Sequence, residues 1–199
     1  MHEHFDQNFD NNLEEIAFPV VQDLEKEKNS EKDEKSALIS ELSIKGYQKL
    51  KANSLNEARE FFEKILELDT DNNYALVGLG DTERKQENFQ EAIKFYSRCL
   101  EFHPDNNYAL FGLADCYKAL RQFTKAIEIW EKYLVHDEKN ITVITRIADA
   151  YRKIHSYRKS AELYQQILKM EETNAYALVG LGHLNFSHVF NLMSFQHIY

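Results

Sequence analysis

The chain has 199 residues, 43% of them apolar, with only six glycines, two prolines and a formal net charge of −9. The charge is uneven: residues 1–35 carry eleven acids and four lysines, and the other 164 carry 22 acids and 20 bases. A nearly neutral body without a basic stripe argues against nucleic-acid binding, and no stretch nears the roughly eighteen uninterrupted apolar residues of a membrane span.

Residues 1–35 read as a charged arm. Between Asp23 and Lys35 acids and lysines alternate with almost nothing apolar, so burial cannot offset the entropy of ordering. Phe5, Phe9, Leu13, Ile16, Phe18, Val20, Val21 and Leu24 precede that run, with Pro19 among them. They leave open a short segment that docks on the chain's own groove or on a partner. The opening residues have neither a basic start nor an apolar run, so no secretory signal is expected.

From about Ser36 a 34-residue period governs the chain. Asn-Asn-Tyr-Ala-Leu-Val-Gly-Leu-Gly-Asp at 72–81 returns as Asn-Asn-Tyr-Ala-Leu-Phe-Gly-Leu-Ala-Asp at 106–115. It returns again from Asn140 and from Asn174. Such a period means stacked copies of one small unit, none able to bury its apolar face alone. Apolar residues within each copy follow the helical i, i+3, i+4 spacing, which predicts helices near 36–52, 55–68, 73–86, 89–102, 107–120, 123–136, 141–154, 157–170 and 175–187. Asn72, Asn106, Asn140 and Asn174 are expected to cap the odd helices, and Ser54, Asn88 and Ser156 the even ones.

The units resemble tetratricopeptide repeats. One unit carries Leu110, Leu113, Ala114, Tyr117, Phe123, Ala126, Trp130 and Tyr133 at matching spacing. Its neighbours carry Leu76, Leu79, Gly80, Phe89, Ala92 and Tyr96, and Ile144, Ile147, Ala148, Tyr151, Ser160 and Tyr164. The first unit is weaker, with Lys45 and Lys49 at apolar positions, and the resemblance covers residues 39–182. It implies an all-α fold, a right-handed α-α superhelix of four helix pairs plus a partial fifth (about 39–72, 73–106, 107–140, 141–174 and 175–182). Small residues such as Ala58, Ala92, Ala126 and Ser160 stand where two helices cross, beside large rings. Asn53, Glu87, Arg121 and His155 occupy the turn where family members commonly have glycine, which predicts a strained positive φ costing about 1 kcal/mol.

Residues 183–199 leave the pattern and contain no Asp, Glu, Lys or Arg. They fit a truncated or frame-altered end of a longer repeat protein, an apolar cap or self-association helix, or a mobile tail.

No catalytic constellation emerges. Gly78-Leu79-Gly80 lies inside a helix rather than between strand and helix, and His183 and His188, five apart, do not share a helical face. Neither a metal site nor a cofactor is expected. Cys99 and Cys116 read as buried, reduced thiols rather than a disulfide, which fits a reducing, cytoplasmic setting. On the first helix of each unit a second apolar strip runs beside the core stripe: Tyr74 and Val77, Tyr108 and Phe111, and Tyr176, each with a glycine alongside. In the resembling family this face lines a concave peptide-binding groove. The expected groove residues are therefore Tyr74, Val77, Asp81, Tyr108, Phe111, Asp115, Arg146, Asp149 and Tyr176, with the glycines letting a ligand backbone approach. The bland alternative is that these side chains pack first helix on first helix. The aspartate column could select a basic ligand, or merely pair with Arg84, Lys118 and Arg152 three residues on. A lysine-and-asparagine clamp for chaperone tails is not expected, because its positions hold Ser43, Tyr47, Gly78, Tyr108 and Gly112. The expectation is a non-catalytic scaffold for a protein or peptide, with possible self-association through the C-terminal stretch. The recognition arm of a longer enzyme and a structural subunit of an assembly are the alternatives.

Overall fold

A computed structural model of the chain describes residues 32–184, and these residues form nine helices and no strand. The helices are α1 over 32–51, α2 Leu55–Leu68, α3 Asn73–Lys85, α4 Phe89–Phe102, α5 Asn107–Ala119, α6 Phe123–Leu134, α7 Ile141–Lys153, α8 Tyr157–Met170, and α9 from 175 to the last described residue. The described helix ends agree with the expected ones to within two residues, except that α1 already includes residue 32, and the expected end of α9 at 187 lies outside the described residues. The rest of the expected arm and residues 185–199 lie outside the described residues. Consecutive helices pair antiparallel, α3 also packs directly on α5, and successive even helices do not touch in this way. The odd helices are the inner layer of the α-α superhelix and the even ones the outer, with α3 and α5 in direct contact within the inner layer.

Each odd helix starts under an asparagine. The Oδ1 of Asn72, Asn106, Asn140 and Asn174 accepts the amide three residues on at 2.9–3.1 Å. The Nδ2 of Asn72, Asn140 and Asn174 reaches back to the acid three residues before, at 2.8–3.0 Å. One side chain thus closes the preceding turn and opens the next helix. Even helices do not use this device: Ser54, Asn88 and Ser156 make no side-chain cap, contrary to expectation. The reason is the turn before them. Asn53, Glu87, Arg121 and His155 hold φ of 59–62°, as expected at these positions. The next amide then donates five residues back, Ser54 N to Lys49 O at 2.9 Å and Ser156 N to Tyr151 O at 2.9 Å. That is a Schellman closure, and it fixes the second helix's entry with backbone alone.

Four large side chains wedge the units together. Phe62, Tyr96, Trp130 and Tyr164 are fully buried, one from each even helix. The ring of Phe62 lies against Gly46 and Gly78, and that of Tyr96 against Gly80 and Gly112. Gly180 takes the ring of Tyr164. A Cβ at any of these glycines would fall well inside van der Waals contact of the ring. The glycines beside the aromatic strip are therefore occupied by packing. Gly78 and Gly112 are not openings for a ligand backbone.

The weak first unit has a physical basis. Leu79 belongs to the core built with Ala58, Phe62 and Ile65 of the preceding unit. Lys45, at the equivalent position of α1, has no such unit before it among the described residues and pairs with Glu41 in solvent. Lys49 likewise pairs with Glu57. Between units, Lys85 Nζ donates to Leu50 O at 2.8 Å and Arg98 to Thr70 O at 2.7 Å. Glu83 of α3 is buried and is paired with Arg59 of α2 and bonded by Asn88.

Candidate groove on the concave layer

The expected groove residues fall on the odd helices but divide into two groups. Tyr108 is 80% exposed, Tyr176 77% and Tyr74 59%, so three rings stand free along the inner layer. Val77, 5% exposed, is core, sealed by the close approach of α5 to α3. Phe111 is half-buried, edge-on to Tyr133 at 6.1 Å, and packs against the α5–α7 core. For Val77, packing of first helix on first helix is the description, whereas Phe111 leans on the even helix α6.

The aspartate column is also largely spoken for. Asp81 Oδ1 accepts the Tyr96 hydroxyl at 2.7 Å and pairs with Arg84 at 2.9 Å, and Asp149 does the same with Tyr164 at 2.7 Å and Arg152 at 3.1 Å. Each aspartate thus anchors the wedge ring of its own unit, beyond a simple surface ion pair. Burial pushes the Tyr96 hydroxyl well above the ordinary tyrosine range, and that of Tyr164 up to about 12. The middle unit differs because Trp130 has no hydroxyl to give. Asp115 instead accepts Arg146 of the next unit at 2.7 Å, and no pair with Lys118 forms. Burial raises the Asp115 pKa despite the opposing field of Arg146. Arg146, standing where the second, third and fifth units have glycine, also lies over the Phe111 ring at 4.8 Å. It is thus a strut between α5 and α7, which stand further apart than α3 and α5.

Between α3 and α5 a cleft of about 500 Å³ opens, lined by Asp81, Arg84, Asn107, Tyr108, Phe111, Gly112 and Tyr133. Asn107 Oδ1 is buried there with no protein partner. A buried acceptor left unpaired is unfavourable, and a bound donor would satisfy it. Asn107, Arg84 and Tyr133 were not expected as groove residues. Asn107 is legible only as the second asparagine of a repeated pair, the first being the helix cap. Tyr133 comes from the even helix α6, where Cys99 and Ile167 hold the equivalent core position. Among the described residues no group of three or more His, Cys, Asp or Glu side chains could hold a metal ion. Nor is any described helix long and apolar enough to cross a membrane.

Two family models of the tetratricopeptide repeat match the chain, over residues 45–107 and 83–143. No curated protein sequence matches it significantly. Solved structures do. A tetratricopeptide repeat protein from Parabacteroides merdae is 23% identical with a TM-score of 0.68, over 74% of this chain and 59% of that one. The chain therefore spans less than two thirds of that relative. MamA 41-end from Desulfovibrio magneticus RS-1 is 16% identical with a TM-score of 0.70, over 82% of this chain and 90% of that one. YrrB, a TPR protein with an unusual peptide-binding site, is 17% identical with a TM-score of 0.65, over 72% of this chain and 74% of that one. At these identities the likeness is one of fold.

Proposed function

Because the chain belongs to the tetratricopeptide-repeat family, whose members serve protein–protein interaction, we propose that it is a non-catalytic scaffold holding a peptide or protein segment on its concave layer. The observation that carries this reading is Tyr108, exposed at the cleft between α3 and α5, with Tyr74 exposed on the adjacent inner helix. Rigid rings in a concave setting give large contact area for little lost entropy. A ligand lying there meets Tyr108 as an apolar wall, the free acceptor of Asn107, and the outer edge of the Asp81–Arg84 pair. Tyr176 continues the row toward the C-terminal end. Asp81 and Asp149 hold buried rings, so their contribution to ligand charge selection is secondary to their structural role.

The buried thiols and the composition favour a cytoplasmic setting. Self-association through residues 183–199 falls almost wholly outside the described residues, and sedimentation of the chain with and without residues 187–199 tests it. The groove is tested by selecting binders from a random peptide library and mapping them by amide hydrogen exchange. Protection concentrated on α3 and α5 is expected. Protection confined to the even helices would overturn the reading.

A further inference from the structure

The units differ in charge along one edge of the array. Because consecutive helices are antiparallel, the turns inside the units lie on one edge and the loops between units on the other. Windows in register over the first two turns, 48–59 and 82–93, mix five Lys or Arg with four Glu. The same windows over the α5–α6 and α7–α8 turns, 116–127 and 150–161, hold seven Lys or Arg and no acid. The sharpest change is in the first turn of the even helix. Glu57 and Glu91 stand there in α2 and α4, and Lys125 and Lys159 at the equivalent positions of α6 and α8. A helix N-terminus favours an acid, so these lysines do not serve their own helices.

The cations form one patch. Tyr117, Phe123 and Tyr151 pack on a shared core, which sets the two turns side by side. Lys125 Nζ lies over the Tyr117 ring at 5.3 Å and Lys159 Nζ over the Tyr151 ring at 5.0 Å. Arg152 and Arg158 have acids for partners, Asp149 and Glu162. Lys118, Arg121, Lys125, Lys153 and Lys159 are exposed and pair with no acid among the described residues. Glu131 borders the patch and accepts the Tyr151 hydroxyl at 3.2 Å. Ile154 and Tyr157, each 36% exposed, give it an apolar footing. The opposite edge is acidic: the loops at 67–72, 101–106, 135–140 and 169–174 carry nine acids and two lysines. The two edges nearly cancel, so the total charge of the repeats shows neither.

The chain carries a complement to the basic edge. Residues 1–25 hold seven acids and no Lys or Arg. Within them Phe5, Phe9, Leu13 and Ile16 recur at helical spacing beside Asp6, Asp10 and Glu14. This stretch joins the array at the start of α1, on the acidic edge, which repels it. The basic edge is within reach. The length of α1, about 30 Å, and three steps of about 10 Å to α7 put it about 40 Å from residue 32. Residues 16–31 can extend over about 50 Å.

We propose that the acidic segment 3–16 docks on the chain's own basic edge, its carboxylates against Lys118, Lys125, Lys153 and Lys159 and its apolar side chains on Ile154 and Tyr157. The tether gives the segment a high effective concentration there, which an untethered acidic partner lacks. This surface is separate from the cleft between α3 and α5.

The probe is a fluorescently labelled synthetic peptide of residues 1–25, titrated with full-length chains and followed by anisotropy. One chain is the parent. A second has a neutralised arm, with Asp6→Asn, Asp10→Asn, Glu14→Gln and Glu15→Gln. A third adds Lys125→Glu and Lys159→Glu, which restore the residue that the first two units carry and should leave the thermal melt unchanged. The neutralised chain should bind the peptide at least tenfold more tightly than the parent, whose own arm competes, and at least tenfold more tightly than the third chain. Equal affinity for parent and neutralised chain, equal affinity for neutralised and third chains, or no binding to the neutralised chain would overturn the proposal. A parent that sediments as a dimer, beside a monomeric neutralised chain, would assign the edge to the arm of a second copy. A single-stranded DNA oligonucleotide bound equally by parent and neutralised chain, and lost by the third, would assign it to nucleic acid. Either result also overturns docking within one chain.

Discussion

Glu87 and Arg121 sit at φ of 62° and 59°, a backbone region that a Cβ makes unfavourable. Their side chains are exposed, and the Schellman bonds around them involve only backbone atoms. Glu87→Gly and Arg121→Gly should each stabilise the array by about 0.5–1 kcal/mol, relief of strain exceeding the added flexibility of the unfolded chain. Urea unfolding checks this through a raised midpoint at unchanged slope. The two cysteines make a second prediction at this scale. Burial pushes the Cys99 thiol up to about 11 and that of Cys116 to about 12. Almost no thiolate exists at neutral pH, so neither should react with a thiol reagent until the chain unfolds. The native state holds these protons more tightly than the unfolded state. That part of its stability is complete below the ordinary thiol value of about 8.5, and it is lost as pH rises toward about 11 and 12.

At the scale of helices, stacking rests on small residues at crossings and on one buried charge. Ala114 and Ala126 are fully buried in the core shared with Trp130. Replacing either with Phe should destabilise by about 1–3 kcal/mol or more, because the crossing cannot admit a ring. Trp130 fluorescence in urea reports that loss directly. Glu83 depends on Arg59 of the neighbouring helix, so Arg59→Leu leaves an almost uncompensated buried carboxylate and should cost on the order of 3 kcal/mol. Combining Arg59→Leu with Glu83→Gln should recover part of it. A thermal melt of the single and double variants decides, and equal losses in both would show that the charge is not the cause. These features were only half legible in the sequence. The 34-residue register places Ala114, Ala126 and the strained turn residues directly, since each repeats in kind. The Asp115–Arg146 pair was not legible as such, because it depends on Trp130 lacking the hydroxyl that Tyr96 and Tyr164 supply.

For the whole molecule, the sequence specifies which face of each inner helix points inward but not whether a neighbouring helix covers it. Val77 and Tyr108 lie in the same inner strip by periodicity, yet one is sealed by the approach of α5 to α3 and the other stands in solvent. The glycines that looked like room for a ligand are what allow that approach, each filled by a ring from the outer layer. The groove is therefore narrower in composition than its sequence pattern suggests, and rests on Tyr74, Tyr108 and the cleft rather than on every residue of the strip. Phe111 is unsuitable for testing it, because it lines the cleft but also packs against the core of α5, α6 and α7. The most direct measurement is calorimetric titration of a library-selected peptide into the parent chain and into the Tyr74→Ser, Tyr108→Ser double variant, with thermal melts of both. The account predicts a loss of binding well over 1 kcal/mol with the melt unchanged, as for aromatic anchors. Equal affinity in a variant that melts like the parent would contradict it.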